Sequence, residues 1–358
     1  MAKISLAELR HSYVAAPQTE ADYALQRVHL DWEDGGAYAL LGPSGCGKTT
    51  LLNIISGLLK ASEGGIFFDE RDVSALSPDQ RNIAQVFQFP VVYDTMTVYD
   101  NLAFPLRNRK VAEAEIKRRV TEIAEMTDLT DMLRQRAAGL SADGKQKISL
   151  GRGLVRADVN AILFDEPLTV IDPHLKWRLR SKLKELHQRV GMTMIYVTHD
   201  QTEALTFADK VVVMHEGGVV QTGTPVDLFE RPTHTFVGHF IGSPGMNVLP
   251  CDYRNGQAVI NGVGCDIENR AAVAAADLRG RRIELGVRPE FVSFAETGLP
   301  VTIGKVSDTG RFRVVETTAG EAVIRLLLNE DQPIPADNAH LRFDPAFTRI
   351  YADGGLLE

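Results

Sequence analysis

Short apolar runs separated by polar turns fill the first 90 residues, and each run has the length of one β-strand. They predict strands at residues 4–9, 25–31, 37–41, 66–69 and 83–88. After the third run, apolar residues spread over a wide helical face predict a helix; they are Leu51, Leu52, Ile54, Ile55 and Leu58. Two later apolar runs, at 160–167 and 194–200, end in polar residues. This succession of strands and helices indicates an α/β fold.

The middle of the chain, residues 97–135, is rich in helix-forming residues. Basic side chains are dense between residues 107 and 120, but Glu113 and Glu115 lie among them and no aromatic residue does. Mixed charge of this kind is typical of a solvated helix face rather than of a nucleic-acid patch. Ser141 has the position of an N-cap in front of a further helix.

The C-terminal part of the chain, from residue 211 onward, has a β pattern. Residues 211–214 and 217–220 predict a hairpin, and short alternating strands follow Pro244. Turn signals separate these strands; they are Asn255-Gly256, Asn261-Gly262, Asp308-Thr309-Gly310 and Ala319-Gly320. The pattern predicts a small β-barrel or sandwich without a catalytic set of residues, so we expect it to bind or to regulate.

Composition narrows the class of protein. The 358 residues, 44% hydrophobic and 24% charged, suffice for two globular domains. A net charge of −8 argues against broad nucleic-acid binding. The cysteines, Cys46, Cys251 and Cys265, form no C-x-x-C pair, which fits a reducing compartment. We expect neither a signal peptide nor a membrane span, since no apolar run approaches about 18 residues. Work at a membrane would then require partner proteins.

A glycine-rich turn connects the strand at 37–41 to the first helix. It fits G-x-x-x-x-G-K-[ST], and its residues are Gly42, Pro43, Ser44, Gly45, Cys46, Gly47, Lys48 and Thr49, followed by Thr50. Glycines allow successive N–H groups to converge on an anion, and the helix start adds its positive dipole end. Lys48 supplies a charge for the β- and γ-phosphates, and the Thr49 hydroxyl can ligate Mg²⁺. The turn predicts a nucleotide-phosphate site.

Polar side chains also follow other strands, at the sheet edge where α/β proteins bind ligands. Asp165 is predicted to hold Mg²⁺ through water, and Glu166 to orient and polarise the water that attacks the γ-phosphate. Gln88 can reach the Mg²⁺ or that water, and His199 is placed for a γ-phosphate contact. A glutamine or a histidine at a strand end is often only structural; the nearby phosphate loop favours the catalytic assignment.

Tyr13 is an isolated aromatic residue in the leading sheet. It fits a half-buried strand residue as well as a ring on which an adenine stacks. The residues alone leave both interpretations open.

Together these residues resemble the ATP-binding cassette ATPases, and among them the subunits that power bacterial sugar and polyol importers of the maltose type. Residues 42–50 match the Walker A loop, residues 162–166 the Walker B strand, and Gln88 the Q-loop. The segments at 240–244 and 285–290 look like that family's C-terminal regulatory domain. The resemblance implies an α/β P-loop nucleotide-binding domain over 1–235, with a helical subdomain at about 89–157. A smaller all-β, OB-like (TOBE-type) regulatory domain would follow over 236–358.

The same resemblance implies ATP and Mg²⁺ as cofactors and assigns further residues. Asp172 sits at the D-loop position, His199 at the switch histidine and Tyr13 at the adenine-stacking aromatic. The implied catalytic residues are Glu166, His199, Gln88 and Lys48, and the implied Mg²⁺ ligands are Thr49, Gln88 and Asp165. In this family two cassettes enclose two ATPs, each between one Walker A loop and the other subunit's signature motif, so Ser141 and Gly144 would contact nucleotide.

The implied partners are a second cassette ATPase, identical or paralogous, two membrane permease subunits and, indirectly, an extracytoplasmic solute-binding protein, with no nucleic acid. The segment around residues 88–106 would contact a coupling helix at the cytoplasmic face of the bacterial inner membrane. ATP-driven closure would turn the permease outward, and hydrolysis would reset it. Sugar, polyol, glycerol and glycerol phosphate all stay open as cargo, with a preference for a polyol or glycerol.

One segment departs from the family pattern. The signature Leu-Ser-Gly-Gly-Gln is here Leu-Ser-Ala-Asp-Gly, at residues 140–144, without an insertion. Asp143 replaces a glycine whose backbone would lie against the γ-phosphate, and two like unit charges about 4 Å apart repel by ~4 kcal/mol at a dielectric near 20. We therefore expect this chain to pair with a different cassette whose signature is intact; a homodimer that tolerates the change is the alternative.

Two other classes of protein carry a phosphate loop. A cassette ATPase acting on nucleic acid or the ribosome usually has two cassettes or long insertions, and the acidic net charge disfavours it. A small-molecule kinase would explain neither Leu140-Ser141 at the head of a helix nor the β-rich tail. Co-purification with membrane subunits would support the importer, and co-purification with nucleic acid or ribosomes would support the second class. A phosphorylated product formed without a partner would support the kinase.

Overall fold

The computed structural model describes residues 2–336 and 338–358. The chain divides into two compact units, Met1–Pro225 and Val226–Glu358. No helix within the described ranges is both long and apolar enough to cross a membrane. A domain boundary between residues 235 and 236 stays a prediction.

The first unit alternates strands and helices. Its strands are β1 (Ile4–His11), β2 (Leu25–Trp32), β3 (Ala37–Leu41), β4 (Glu63–Phe68), β5 (Arg71–Asp72), β6 (Ala84–Val86), β7 (Ile162–Asp165), β8 (Met194–Thr198), β9 (Lys210–His215) and β10 (Gly218–Gly223). Its helices are α1 (Lys48–Ser56), α2 (Pro78–Arg81), α3 (Val98–Asn108), α4 (Glu113–Met126), α5 (Ala142–Leu154), α6 (Pro173–Val190) and α7 (Gln201–Phe207). Helix α8 (Pro225–Glu230) begins at the boundary of the two units.

A mostly parallel sheet with the strand order β10-β9-β3-β8-β7-β6 forms the centre of this unit. Strands β3, β7 and β8 are buried along their whole length. Their register pairs Leu41 with Thr198, and Asp165 with Val197. Because the strands are parallel, the segments after Leu41, Asp165, Thr198 and Val86 all leave the sheet at one edge.

A second, antiparallel sheet has the order β2-β1-β4-β5. Its inward side chains share one apolar core with the inner face of α1, where Leu51, Leu52, Ile54 and Ile55 are fully buried. Burial of this kind stabilises a fold by about 25 cal/mol per Å² of apolar surface. The core thus fixes α1, and with it the turn that precedes the helix.

Two local predictions about this unit were wrong. Leu58 does not belong to the buried face of α1: the helix ends at Ser56, Gly57 turns the chain with φ +83°, and Leu58 is 54% exposed. The strand predicted at 66–69 has other bounds: β4 runs from Glu63 to Phe68, so it includes Gly64 and Gly65 and ends before Asp69.

The basic stretch at 107–120 is split between α3 and α4, since Lys110 adopts a left-handed φ of +57°. Its arginines pair with nearby carboxylates: Arg107 with Asp100 and Glu113, and Arg118 with Glu115. These ion pairs are solvent-exposed, as the mixed-charge pattern predicts.

The second unit is largely β-structure. Its strands are β11 (Asn247–Pro250), β12 (Asp252–Arg254), β13 (Gln257–Ile260), β14 (Val263–Cys265), β15 (Ile283–Val287), β16 (Val292–Ala295), β17 (Leu299–Asp308), β18 (Arg313–Ala319), β19 (Ala322–Leu328), β20 (Asn338–Phe343), β21 (Arg349–Ala352) and β22 (Gly355–Leu356). Its remaining helices are α9 (Thr235–Phe240) and α10 (Arg270–Ala275). Short 3₁₀ turns in the two units lie at Glu20–Asp22, Thr130–Met132, Ala137–Gly139, Pro289–Phe291 and Pro345–Phe347.

These strands form antiparallel sheets with the orders β11-β15-β21-β22, β12-β13-β14 and β16-β20-β17-β18-β19. Asn255-Gly256 joins β12 to β13, and Asn261-Gly262 joins β13 to β14, each pair with positive φ. Two successive left-handed residues match the twist of a two-residue hairpin, which explains why Asn-Gly occurs at both turns. The sheets enclose an apolar core of their own.

Candidate nucleotide site

The turn between β3 and α1 is shaped by its glycines. Gly45 and Gly47 have φ of +83° and +97°, which residues with a side chain rarely adopt. A β-carbon on Gly42 would lie 2.3 Å from the backbone oxygen of Met214. Helix α1 starts after Gly47 without a side-chain cap, so its first N–H groups stay available to a ligand.

Lys48 lies across the turn that precedes it. Its Nζ donates to the backbone oxygens of Gly42 at 2.7 Å and Pro43 at 2.8 Å, and the side chain is buried. The two bonds hold the ammonium group on the inner side of the loop. A charge fixed in this way loses little entropy when an anion binds.

The Thr49 hydroxyl donates to Asp165 Oδ1 at 3.1 Å and so joins the start of α1 to the end of β7. Asp165 is only 8% exposed, and this burial raises the pKa of its carboxyl; the nearby charge of Glu166 raises it further, while the Thr49 hydrogen bond opposes the shift. A hydroxyl and a carboxylate are the oxygen donors that Mg²⁺ accepts beside phosphates and water.

Glu166 directly follows Asp165 but meets different partners. Its Oε1 lies 3.0 Å from His199 Nδ1, and its Oε2 accepts from Gln88 Nε2 and from the Thr169 hydroxyl, each at 3.3 Å. A left-handed φ of +46° turns the backbone at Glu166, and its N–H donates to the Val197 oxygen at 3.0 Å. The structure thereby brings Gln88, Glu166 and His199 together.

Tyr13 is not the half-buried strand residue that one interpretation allowed. It lies in a bend after β1 and is 67% exposed. Its hydroxyl is 3.1 Å from the Thr50 hydroxyl, and its ring meets the His11 ring edge-on at 4.7 Å. An exposed ring thus stands beside the start of α1.

The other predicted contacts lie elsewhere. The Ser141 hydroxyl accepts from the Gly144 N–H at 3.2 Å and caps α5, and Asp172 caps α6 by accepting from the His174 N–H at 2.8 Å. Within the described residues no hydrogen bond or ion pair joins Ser141, Gly144 or Asp172 to the turn that holds Lys48. In this chain the Ser141 and Asp172 side chains serve as helix caps.

Asp143 has a partner that the sequence-based argument did not consider. Lys147 Nζ lies 3.1 Å from Asp143 Oδ2, one helical turn further along α5, where 28% of the Asp143 side chain and 12% of the Lys147 side chain are exposed. The Lys147 ammonium offsets part of the charge on which the ~4 kcal/mol repulsion depends. The i,i+4 spacing of opposite charges was the signal that could have revealed it.

Gln146 is a second residue that the sequence did not single out. It is buried, and its Nε2 donates to the backbone oxygens of Phe87 at 3.1 Å and Pro167 at 2.9 Å. These oxygens belong to the neighbours of Gln88 and Glu166. Gln146 thus ties α5 to the segments that carry both residues, and no local pattern points to such a contact.

The residues at the sheet edge fit a nucleoside triphosphate with Mg²⁺. The turn offers uncapped N–H groups and a fixed ammonium, and a hydroxyl–carboxylate pair lies beside it. No group of three or more His, Cys, Asp or Glu side chains that could hold a metal exists in the described part of the chain.

Comparison with known proteins identifies the family. Residues 25–169 match the family described as ABC transporter, and residues 242–292 match the MalK OB fold domain. The sn-glycerol-3-phosphate import ATP-binding protein UgpC of Bordetella avium is 36% identical, over 90% of this chain and 88% of that protein. UgpC 2 of Agrobacterium fabrum is 38% identical, over 99% of this chain and 96% of that protein.

Solved structures agree. The chain resembles cbiO1 from Clostridium perfringens, part of the ABC transporter complex cbiONQ, with a TM-score of 0.57 and 28% identity over 64% of this chain and 90% of that one. An ATP-binding cassette solved as a dimer with ADP and Pi gives a TM-score of 0.56 at 27% identity, over 62% of this chain and 98% of that one. The predicted fold class, an α/β P-loop domain followed by an OB-like β domain, is confirmed. The chain therefore belongs to the import ATP-binding proteins of ABC transporters, a family of ATP-binding ATPases.

Proposed function

We propose that this chain is the ATP-hydrolysing subunit of a bacterial importer whose membrane permeases are separate proteins, and that it works on the cytoplasmic face of the inner membrane. The observation that carries the proposal is the position of Glu166. Its carboxylate is held by Gln88 and His199 at the edge of the sheet where the phosphate turn ends. A carboxylate fixed at that edge is suited to activate water.

Each residue of the site has a separate proposed role. The turn and Lys48 bind the β- and γ-phosphates, and Thr49 and Asp165 would hold Mg²⁺, with Gln88 as a further candidate ligand. Bound Mg²⁺ would neutralise charge on the phosphate oxygens. Glu166 orients the attacking water and takes up its proton, His199 contacts the γ-phosphate, and the exposed ring of Tyr13 stacks on the adenine.

Permease subunits are the proposed partners at the segment after β6. Four large apolar side chains there are exposed: Phe87 at 37%, Phe89 at 71%, Val91 at 51% and Tyr93 at 41%. A cavity of about 220 Å³ beside them is lined by Phe87, Val91, Pro105 and Arg152, among others. An apolar surface next to Gln88 suits a short helix of a membrane subunit, which would sense the state of the nucleotide site.

The proposed cargo is a small polyol of the glycerol type, free or phosphorylated. The relatives named above are import proteins for sn-glycerol 3-phosphate, and they align over most of their length. The cargo passes through the permeases, so the residues of this chain do not select it. A solute-binding protein would deliver it.

We further propose that the second ATPase subunit is a different cassette protein. The ion pair with Lys147 reduces the repulsion expected between Asp143 and a γ-phosphate. A steric difference stays, because Asp143 carries a side chain at a position where the family has glycine. The phosphate turn of this chain would face the intact signature of the partner. Its own Ser141–Gly144 segment would border a weaker site.

Uptake in the source bacterium tests the function. We expect deletion of the gene to abolish uptake of micromolar labelled glycerol or glycerol 3-phosphate, and the wild-type chain to restore it. Glu166→Gln should bind ATP but lower uptake and ATP hydrolysis roughly 100-fold or more. Glu185→Gln, at an exposed position of α6, is the matched control and should behave as wild type.

Unchanged uptake and hydrolysis with Glu166→Gln would remove Glu166 from its role and with it the proposed function. If the chain were required for the uptake of maltose but not of glycerol or glycerol 3-phosphate, the proposed cargo would be wrong. The assignment as an importer ATPase would still hold.

A further inference from the structure

Glu203 is a buried carboxylate close to the nucleotide site that plays no part in the mechanism above. It lies in the first turn of α7, and the residue is only 4% exposed. A carboxylate in such a place is costly unless hydrogen bonds or an opposite charge satisfy it. Glu203 has both hydrogen bonds and an opposite charge nearby.

Two hydroxyls of β8 donate to the same oxygen of this carboxylate. The Tyr196 hydroxyl lies 3.1 Å and the Thr198 hydroxyl 2.9 Å from Glu203 Oε2. Burial raises the pKa of Tyr196 well above its usual value, and the charge of Glu203 adds to the shift, so the tyrosine stays a neutral donor. The carboxylate is thus bound to the end of the strand that leads into His199.

The bonds continue around His199. Thr198 Oγ1 also accepts from the Asp200 N–H at 3.0 Å, and Asp200 Oδ1 accepts from the Glu203 N–H at 3.1 Å. These contacts close a ring through Thr198, Asp200 and Glu203, with His199 between the first two. The backbone on both sides of His199 is therefore fixed, while the imidazole itself is exposed and lies on Glu166.

The other carboxylate oxygen faces a third element. Lys176 Nζ, on the first turn of α6, lies 3.7 Å from Glu203 Oε1. The Lys176 N–H donates to the Asp172 backbone oxygen at 3.1 Å, at the residue that caps α6. One buried charge therefore connects the start of α6 to the turn that carries His199.

From these contacts we infer that Glu203 is a positioning residue for hydrolysis. It holds the Thr198–Asp200 turn so that the His199 imidazole stays against Glu166. Through Lys176 it also connects this turn to the start of α6, which Asp172 caps. The inference rests on the proposed roles of Glu166 and His199. Its effect acts through His199, since Glu203 itself contacts Tyr196, Thr198 and Lys176.

Two substitutions separate the ion pair with Lys176 from the hydrogen bonds around His199. In Glu203→Gln the amide oxygen still accepts from both hydroxyls, but the charge that faces Lys176 is lost. In Thr198→Val the shape of the side chain is kept while the hydroxyl that closes the ring is removed; Thr198→Ser keeps that hydroxyl and is the conservative variant. Glu185→Gln on the exposed face of α6 controls for the loss of a glutamate.

The experiment measures kcat and KM for ATP of the assembled transporter, in the wild-type and His199→Ala backgrounds. We expect Glu203→Gln and Thr198→Val to lower kcat roughly 10- to 100-fold, as a misplaced catalytic group does, with KM within about twofold. Thr198→Ser should keep wild-type kcat. In the His199→Ala background, Glu203→Gln should cause no further loss, whereas its shift in melting temperature should be the same in both backgrounds.

An equal loss of kcat in the two backgrounds, or a rise in KM alone, would show that Glu203 acts only on stability or binding and would overturn the inference. If Glu203→Gln does not fold, the pair Thr198→Val and Thr198→Ser decides by the same criterion. Failure of the proposed function gives a different result, because His199→Ala and Glu166→Gln would then leave hydrolysis unchanged.

Discussion

Asp165 and Glu166 show how two consecutive carboxylates acquire different tasks. Asp165 ends a buried strand, and its side chain stays inside against Thr49. The left-handed backbone at Glu166 turns the next carboxylate toward Gln88 and His199. A non-glycine residue in this conformation costs about 1 kcal/mol or more, which the surrounding contacts must offset. The sequence predicts the two acids as a pair, but their separate partners depend on this one dihedral angle.

The buried position of Asp165 leads to a test by pH. Because burial raises the pKa of its carboxyl, the ionised form destabilises the nucleotide-free protein above that pKa, and the cost disappears as the pH falls through it. Without nucleotide, Asp165→Asn should therefore melt at a higher temperature than wild type at neutral pH, with a difference that shrinks in acid. ATP hydrolysis should fall roughly 100-fold or more, since a Mg²⁺ ligand is lost.

Melting curves across a pH series, together with steady-state hydrolysis, check both parts. The exposed Asp131→Asn serves as control and should change neither. A lower melting temperature for Asp165→Asn at neutral pH would contradict the assigned cost of burial.

At the scale of elements, the turn between β3 and α1 depends on space as well as on conformation. Gly42 has no positive φ, yet a β-carbon there would overlap the backbone of the β9 residue Met214. The motif predicts the turn and the helix after it. It does not reveal that Gly42 is needed because another strand passes close by, since that neighbour lies 172 residues later in the chain.

Gly42→Ala tests this close approach. We expect a loss of about 1–3 kcal/mol of stability, as for other overpacked sites, and weaker ATP binding because the turn must shift. Gly139→Ala is the matched control: Gly139 has no positive φ and a β-carbon there meets nothing within 4 Å. Thermal unfolding and ATP titration of the two variants provide the comparison. Equal behaviour of both would show that the turn adapts without cost.

At the scale of the whole molecule, we propose that the nucleotide site is one side of an enclosure. Ser141 and Asp172 cap their own helices and do not reach the turn that holds Lys48. The proposed second cassette would supply the facing signature. The altered motif at residues 140–144 favours a second subunit that differs from this chain, and the folded helix adds the ion pair of Asp143 with Lys147.

Two different cassettes should give two unequal sites. We expect the purified chain alone to hydrolyse ATP slowly, and the complex with the second cassette and the permeases to hydrolyse it fast, with most turnover depending on Glu166 of this chain. Restoring the family glycine by Asp143→Gly should raise the rate of the weaker site. Hydrolysis rates and the number of ATP molecules bound per complex measure this. Full activity of the chain alone, with two equivalent sites, would exclude the heterodimer.

Several parts of this protein follow from signals that are local in the chain. Apolar periodicity predicts the strands of the central sheet, glycine spacing predicts the phosphate turn, and Asn-Gly pairs predict the hairpins of the tail, because each depends on residues a few positions apart. Contacts between distant segments became known only from the folded chain. It turns one oxygen of Glu166 toward Gln88 and the other toward His199, exposes Tyr13 beside Thr50, and places Lys176 next to Glu203. Such contacts depend on strand order and register, and no local pattern in the chain encodes them.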